Sequence, residues 1–346
     1  MRTDRLGDVV LTLPMLSALR RCFPEARLTL LVRRYAGAIV EHHPLVEEIL
    51  WYDEGDRMVE WRAMRRVLRE GRFDAAVVVY PTFRLAWIVF AAGIPLRVGT
   101  GYRLYSAFFN RRVYDHRKDA RMHEVEYNLR LLEPLGCAAA GPPEFLLEVQ
   151  AEAACSMRRI LAQCGLGPEE RLAVLHPGSG GSAREWSPEH FGRTGAILAE
   201  GGYRVVVTGT GSEREKAERV CKAGGGRPVS LAGRLTLPEL TALLGTARLL
   251  VANSTGPVHL AAALGTPVVG LYPQHAPMSA RRWGPWTDRK AVFVPRKDPV
   301  CRDCRGGRDS CPCMDSITPQ EVAAAALRLL AGRAGSPAGS GKEGMS

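Results

Sequence analysis

The stretch Leu249 to Tyr272, LLVANSTGPVHLAAALGTPVVGLY, leaves this chain few choices of fold. Leu249 to Ala252 is a short apolar run of the kind buried on both faces of a parallel sheet. The polar turn Asn253-Ser254-Thr255-Gly256 follows, and Pro257 suits the first position of a helix because its missing N–H would be unpaired there anyway. Small side chains at Ala261, Ala262 and Ala263 let that helix lie close on a sheet. Gly265-Thr266-Pro267 ends it, and Val268 to Leu271 reads as the next parallel strand. The whole is a βαβ unit whose mouth presents Ser254, Thr255 and Gly256, with His259 in the first helical turn. Hydroxyls can cap the helix, glycine admits a ligand close to the backbone, and the first amides suit a diphosphate. The plainer reading is an ordinary crossover with a capped helix and a surface histidine.

The same alternation runs through the rest of the chain. In the first half it predicts strands at Leu28–Val32, Glu47–Tyr52, Ala75–Tyr80 and Leu96–Gly99. Helices are expected at Tyr35–His42, Met58–Glu70, Phe83–Ala92 and Val125–Leu135. The second half repeats the pattern. Leu172–Leu175 opens into a glycine-rich loop ending at Trp186, Tyr203–Thr208 opens into Gly209 to Glu215, and Val229–Leu231 and Val292–Val294 continue the series. Two Rossmann-like domains facing a cleft follow, with ligands at the carboxyl ends of the strands. The boundaries expected are 1–150, a linker reaching to Pro168, 168–332, and a polar tail at 333–346 with too little apolar surface to order itself. One element is short. Only seven residues precede Asp8, and Arg2, Asp4 and Arg5 make them a poor interior strand, so the first strand is expected to be missing.

Composition narrows the partners. The 346 residues are 46% hydrophobic and 24% charged, as in globular proteins, and no run is long enough to span a bilayer. The opening residues lack the apolar core of a secretory signal, which makes the cytoplasm the expected location. The net charge of +11 comes mainly from arginine and favours phosphate-bearing partners. Nucleic acid is disfavoured by the lack of any helix-turn-helix or zinc-finger spacing, which leaves the inner face of a membrane as the better partner. Arg97, Arg103, Arg111 and Arg112 form a candidate anion surface for an acceptor, with a solvated arginine-rich loop as the plainer reading.

Four segments carry a resemblance: LGDVVLTLP from Leu6, HPGSGGSAREWSPEHF from His176, LAGRLTLPEL from Leu231 and NSTGPVHLAAALGTPVVGLY from Asn253. In order and spacing the chain resembles glycosyltransferase family 9, the ADP-heptose:lipopolysaccharide heptosyltransferases. The resemblance implies a GT-B fold, with a phosphorylated glycan or glycolipid acceptor on the first domain and a nucleotide-sugar donor on the second. It also implies inverting, metal-independent transfer with no required cofactor. Asp8 stands at the family's base position. Ser179, Ser182 and Arg184 fall where the donor phosphates would be held, and Glu213, or Glu215, where an acid would meet the ribose. Ser254, Thr255, Gly256 and His259 complete that donor pocket. Where the family often has aspartate this chain has Ser254, and Arg184 replaces its usual lysine. A sugar-nucleotide epimerase and a non-catalytic nucleotide-sugar or glycolipid binder are the alternatives.

The nine cysteines of a chain expected in the cytoplasm are read as thiols. Cys301, Cys304, Cys311 and Cys313 could hold a structural zinc or iron–sulfur cluster, although the second pair is spaced more tightly than in a zinc knuckle. Trp283-Gly284-Pro285-Trp286 reads as a rigid loop at the cleft, and Thr318-Pro319 as the start of a final helix.

Overall fold

The computed structural model describes residues 1–137, 141–296 and 313–332. In the C-terminal half the strands are β8 (Leu172–His176), β9 (Arg204–Val207), β10 (Val229–Ser230), β11 (Leu249–Asn253), β12 (Val268–Leu271) and β13 (Lys290–Phe293). They form one parallel sheet in the order β10-β9-β8-β11-β12-β13. β8 and β11 are buried along their whole length, which is why they read as unbroken apolar runs. The helices Pro188–Glu200, Arg214–Ala223, Leu237–Thr246, Gly256–Ala263 and Pro319–Ala331 cover the sheet. Counted along the chain, the strand order is 3-2-1-4-5-6, so the crossovers change side between β8 and β11 and open a crevice above their carboxyl ends.

The N-terminal half contains β1 (Thr29–Val32), β2 (Glu48–Trp51), a small hairpin β3 (Asp53–Glu54) with β4 (Arg57–Met58), β5 (Ala75–Val77), β6 (Leu96–Thr100) and β7 (Arg111–Val113). β1 pairs with β2, and β5-β6-β7 form a second parallel set. The expectation of a missing first strand is corrected here. Met1 to Thr3 run between the two sets: Arg2 N–H donates to Leu31 O at 3.0 Å, the Met1 amino group to Val77 O at 2.8 Å and Val79 N–H to Met1 O at 3.0 Å. This short segment takes the central place, and the half repeats the 3-2-1-4-5-6 order of its partner. The charge that argued against an interior strand is tolerated because the Arg2 side chain is buried among carboxylates.

The stretch before Pro168 contains the helix Ala151–Gln163, which packs on Leu237–Thr246. One further expectation changes. Cys22 and Cys137 are not thiols but a disulfide that ties the end of the helix Pro14–Cys22 to a point 115 residues later. Cys301, Cys304 and Cys311 lie outside the described residues, and among the described residues no three His, Cys, Asp or Glu side chains are grouped to hold a metal ion. No described helix is long and apolar enough to cross a membrane.

Candidate active site between the two domains

The halves meet through two helix starts. Leu6–Val10 follows the central N-terminal segment, Gly256–Ala263 follows β11, and they touch at their glycines. A Cβ on Gly7 would stand 2.7 Å from the His259 ring and 3.2 Å from the Gly256 Cα; one on Gly256 would stand 3.2 Å from the Gly7 nitrogen. A side chain at Gly7 would force the His259 ring to move, and one at Gly256 would crowd Leu6 and the Gly7 nitrogen. The approach brings Asp8 and Thr255, from opposite halves, to a single cleft.

One cavity, about 800 Å³, is lined from the C-terminal half by Ser179, Gly180, Ser182, Thr208, Glu213, Ser254, Thr255, Gly256 and His259, and from the N-terminal half by Arg5, Gly7, Asp8 and Tyr35. Asn253 joins its two principal loops. This fully buried amide accepts from Trp186 N–H at 3.0 Å and donates to Pro177 O at 2.7 Å, while Ser182 Oγ donates to Ser254 O at 3.0 Å. No side chain caps the helix at Thr255, so its first amides remain available to an anion. Glu213 lies against Gly178, where a Cβ would collide with its carboxylate, and accepts from the Thr210 amide and hydroxyl at 2.8 and 2.9 Å. Burial works to raise its pKa, but these bonds, with the Lys216 charge nearby, hold the carboxyl below its ordinary range. His259 is buried, and burial lowers its pKa to about 3; its Nδ1 has no hydrogen-bond partner among the described residues. Burial likewise lowers His176 to about 4, with Nδ1 2.9 Å from Thr208 Oγ1. Both rings are neutral at pH 7.

A second cavity, about 630 Å³, opens into the N-terminal half among Tyr80, Tyr102, Arg103, Tyr105, His116, Arg117 and Lys118. Arg5, Asp8 and Trp283 line both cavities. Trp283 is fixed by its Nε1–H to Pro277 O at 2.8 Å and by Tyr272 Oη donating to its carbonyl at 2.8 Å, consistent with the rigid loop expected there.

Asp8 is held by a charge network. The buried Arg2 guanidinium bonds Asp8, Asp4 at 2.8 Å, Asn128 at 3.4 Å and Glu124 at 3.5 Å. Glu124 is also gripped by Arg117 at 2.5 Å and, across the domain boundary, by Arg282 at 2.9 Å. Burial would raise the Glu124 pKa; Arg117, Arg2 and Arg282 reverse the effect and hold it below the ordinary range. Burial, with a smaller contribution from Asp8, pushes Asp4 up to about 6 against the pull of Arg2.

Not all the expected residues converge. Arg184 is buried and lines neither cavity; two residues on, Trp186 is fully buried in the core. Of the four arginines expected to hold an acceptor, only Arg103 lines the second cavity. Arg97 bonds Phe108 O at 2.8 Å, Arg112 bonds Phe109 O at 3.0 Å and Arg111 bonds Asn110 O at 3.2 Å, each serving nearby backbone. Arg2, Asp4, Arg5, Tyr35, Glu124 and Arg282 are among the site residues sequence reasoning did not find.

Comparison with known proteins agrees with this architecture. Residues 61–311 match the family described as Glycosyltransferase family 9 (heptosyltransferase). A putative glycosyltransferase of Haemophilus influenzae is 26% identical over 85% of this chain and 88% of its own length. Lipopolysaccharide heptosyltransferase 2 of Salmonella typhimurium is 28% identical over 79% and 81%. The solved structure of ADP-heptose LPS heptosyltransferase II from E. coli superposes with a TM-score of 0.79 at 24% identity, covering 96% of this chain and all of that one. The shared fold is the GT-B arrangement of two Rossmann-like domains.

Proposed function

The chain belongs to glycosyltransferase family 9, and from that premise we propose that it transfers a heptose from ADP-heptose to a sugar of the lipopolysaccharide core, with inversion and without a metal ion. The observation that carries this reading is the position of Asp8 on the wall common to both cavities, the larger read as the donor side and the second as the acceptor side. A base that takes a proton from an acceptor hydroxyl during attack on a donor must face both substrates.

The geometry supports a direct displacement. The nucleoside diphosphate lies across Ser179, Ser182 and the start of the helix Gly256–Ala263, with Glu213 toward the ribose. An acceptor hydroxyl oxygen, entering from the second cavity, attacks the anomeric carbon on the face opposite the diphosphate. The bond from that carbon to the diphosphate oxygen breaks, Asp8 takes the hydroxyl proton, and ADP leaves with the bonding pair. The helix N-terminus and the hydroxyls of Ser182 and Thr255 meet the growing phosphate charge. Neutral His259 borders the same site without adding a proton to it.

The test is acceptor-dependent release of ADP, measured with ADP-heptose and a lipopolysaccharide core acceptor, with and without a chelator. Asp8→Asn should retain donor affinity and lose roughly 10²- to 10⁴-fold in turnover. Near-normal turnover in that variant would remove Asp8 as the base. Loss of activity on chelation, restored by a divalent cation, would remove metal independence.

A further inference from the structure

We infer that the face built from the helix Phe83–Ala91 and the turn Leu104–Phe108 docks on an anionic lipid surface. Leu85, Ala86, Ile88 and Val89 turn one side of the helix into the core, yet its outer side is apolar as well. Phe83 is 62% exposed, Phe90 44%, Trp87 37% and Leu104 wholly exposed. Phe83, Trp87 and Phe90 pack around Phe108 with ring centroids 5.9, 5.4 and 5.3 Å away, which joins helix and turn into one patch. A helix at a water-facing surface ordinarily carries polar residues on its outer side, and contiguous exposed apolar patches mark contact sites.

Charge selects the occupant. From Pro81 to Tyr114 the sequence has Arg84, Arg97, Arg103, Arg111 and Arg112 and no aspartate, glutamate or lysine. Arg97 stacks over Phe90 at 5.4 Å, and the Arg111 and Arg112 strand lies beside β6. Arg97, Arg111 and Arg112 do not line the acceptor-side cavity; Arg97 edges the apolar patch at Phe90, and Arg112 bonds the carbonyl of Phe109, next to Phe108 of the patch. A second copy of the chain would set the same cations against themselves across a two-fold axis, whereas anionic headgroups neutralise them. Tyr80, Tyr102 and Tyr114 are half exposed in the same region, as amphipathic rings are at a membrane interface. Leu104 stands between Arg103 and Tyr105, both of which line the acceptor-side cavity, so docking here brings that cavity's mouth to the lipid surface. The inference deepens the lipopolysaccharide reading, but lipid binding is measured without any acceptor.

The full-length protein is sedimented with equimolar phosphatidylglycerol and phosphatidylcholine vesicles and with pure phosphatidylcholine vesicles, at low and raised salt. Wild type should bind the anionic vesicles, more weakly as salt rises, and bind the neutral ones poorly. Each charge at an anionic surface changes partition by about fivefold, so Phe83→Glu with Leu104→Glu should weaken it by about 25-fold or more. Transfer to a soluble deacylated core acceptor should be unchanged in that variant, which also reports correct folding. If the double variant unfolds, Leu104→Glu alone, at a fully exposed position, should still lose about fivefold. Absence of wild-type binding, equal binding by the variants, or a wild-type dimer that the variants dissociate would overturn the inference. Vesicle binding without any transfer would instead overturn the proposed reaction and leave the docking face standing.

Discussion

Replacing Glu124 by glutamine should cost more stability than any other conservative change near the cleft. The side chain is 1% exposed and is the common acceptor for Arg2, Arg117 and Arg282. Glutamine keeps the shape but leaves three guanidinium groups around a neutral amide. Breaking a buried ion pair by removing one partner typically costs about 3–5 kcal/mol. The lower end applies, because Arg117 is 22% and Arg282 14% exposed and both can turn toward water. A loss of about 3 kcal/mol lowers the midpoint of a domain this size by roughly 6–12 °C, readable by calorimetry. The pH dependence gives a second check. The folded Glu124 pKa is depressed, so its contribution is full above the ordinary glutamate value of 4.5 and is lost as pH falls through the lower folded value. The gap between wild type and Glu124→Gln should therefore be constant above about pH 5 and narrow below it. Turnover should fall as well, because Arg2 also holds Asp8. A variant within 1 °C of wild type and fully active would refute the view that this carboxylate organises the site.

Three further outcomes follow from the geometry. Gly7→Ala places a methyl group 2.7 Å from the His259 ring and should part the two helix starts, lowering stability by about 1–3 kcal/mol and transfer at least tenfold; normal kinetics would refute the close approach. His259 has a folded pKa of about 3, so unfolding takes up a proton between roughly pH 6.5 and 3, and stability falls with pH by about 1.4 kcal/mol per unit from this group. His259→Gln should flatten the stability profile by that amount, and parallel profiles would count against a buried neutral ring. Cys22 and Cys137 close a span of 115 residues, which sets an upper bound of about 4–5 kcal/mol on what the bridge contributes; reduction, or Cys137→Ser, should lower the melting point, and identical scans with and without reductant would show that the bridge does not form.

The legible part of the site was the part carried by local pattern. Ser254, Thr255, Gly256 and His259 sit where an apolar run breaks into a polar turn and a helix begins, and that change of period is visible without any long-range knowledge. Ser179, Ser182 and Glu213 follow β8 and β9 in the same way. Arg2 and Glu124 have no such signature. They are single charges 122 residues apart, and their meaning arises only when the sheet brings them together. Arg2 even misled, since charge near the start argued against an interior strand, whereas its burial beside Asp4, Asp8 and Glu124 is what lets Met1 to Thr3 occupy one. The arginines after Pro95 part company in the fold: Arg103 lines the second cavity, whereas Arg97, Arg111 and Arg112 bond nearby carbonyls. Arg184 was read from its place in a motif, and in the fold it is buried and lines neither cavity.

The repeated topology explains why one aspartate can serve two cavities. Each half opens a crevice where its strand order reverses, beside Met1 to Thr3 in one and beside β8 in the other. Facing the halves toward each other gives two separate crevices unless the loops at their mouths come into contact. Here the contact is glycine on glycine, at Gly7 and Gly256, with the Gly7 nitrogen 3.2 Å from where a Gly256 Cβ would be. Displacement at a sugar carbon needs the incoming hydroxyl and the leaving phosphate on opposite sides of that carbon, with a base on the incoming side. Asp8 is the residue after Gly7, and Thr255 the residue before Gly256. The glycine pair therefore brings Asp8 and Thr255, from opposite halves, to one cavity, which is where the proposed base and the proposed phosphate site have to meet.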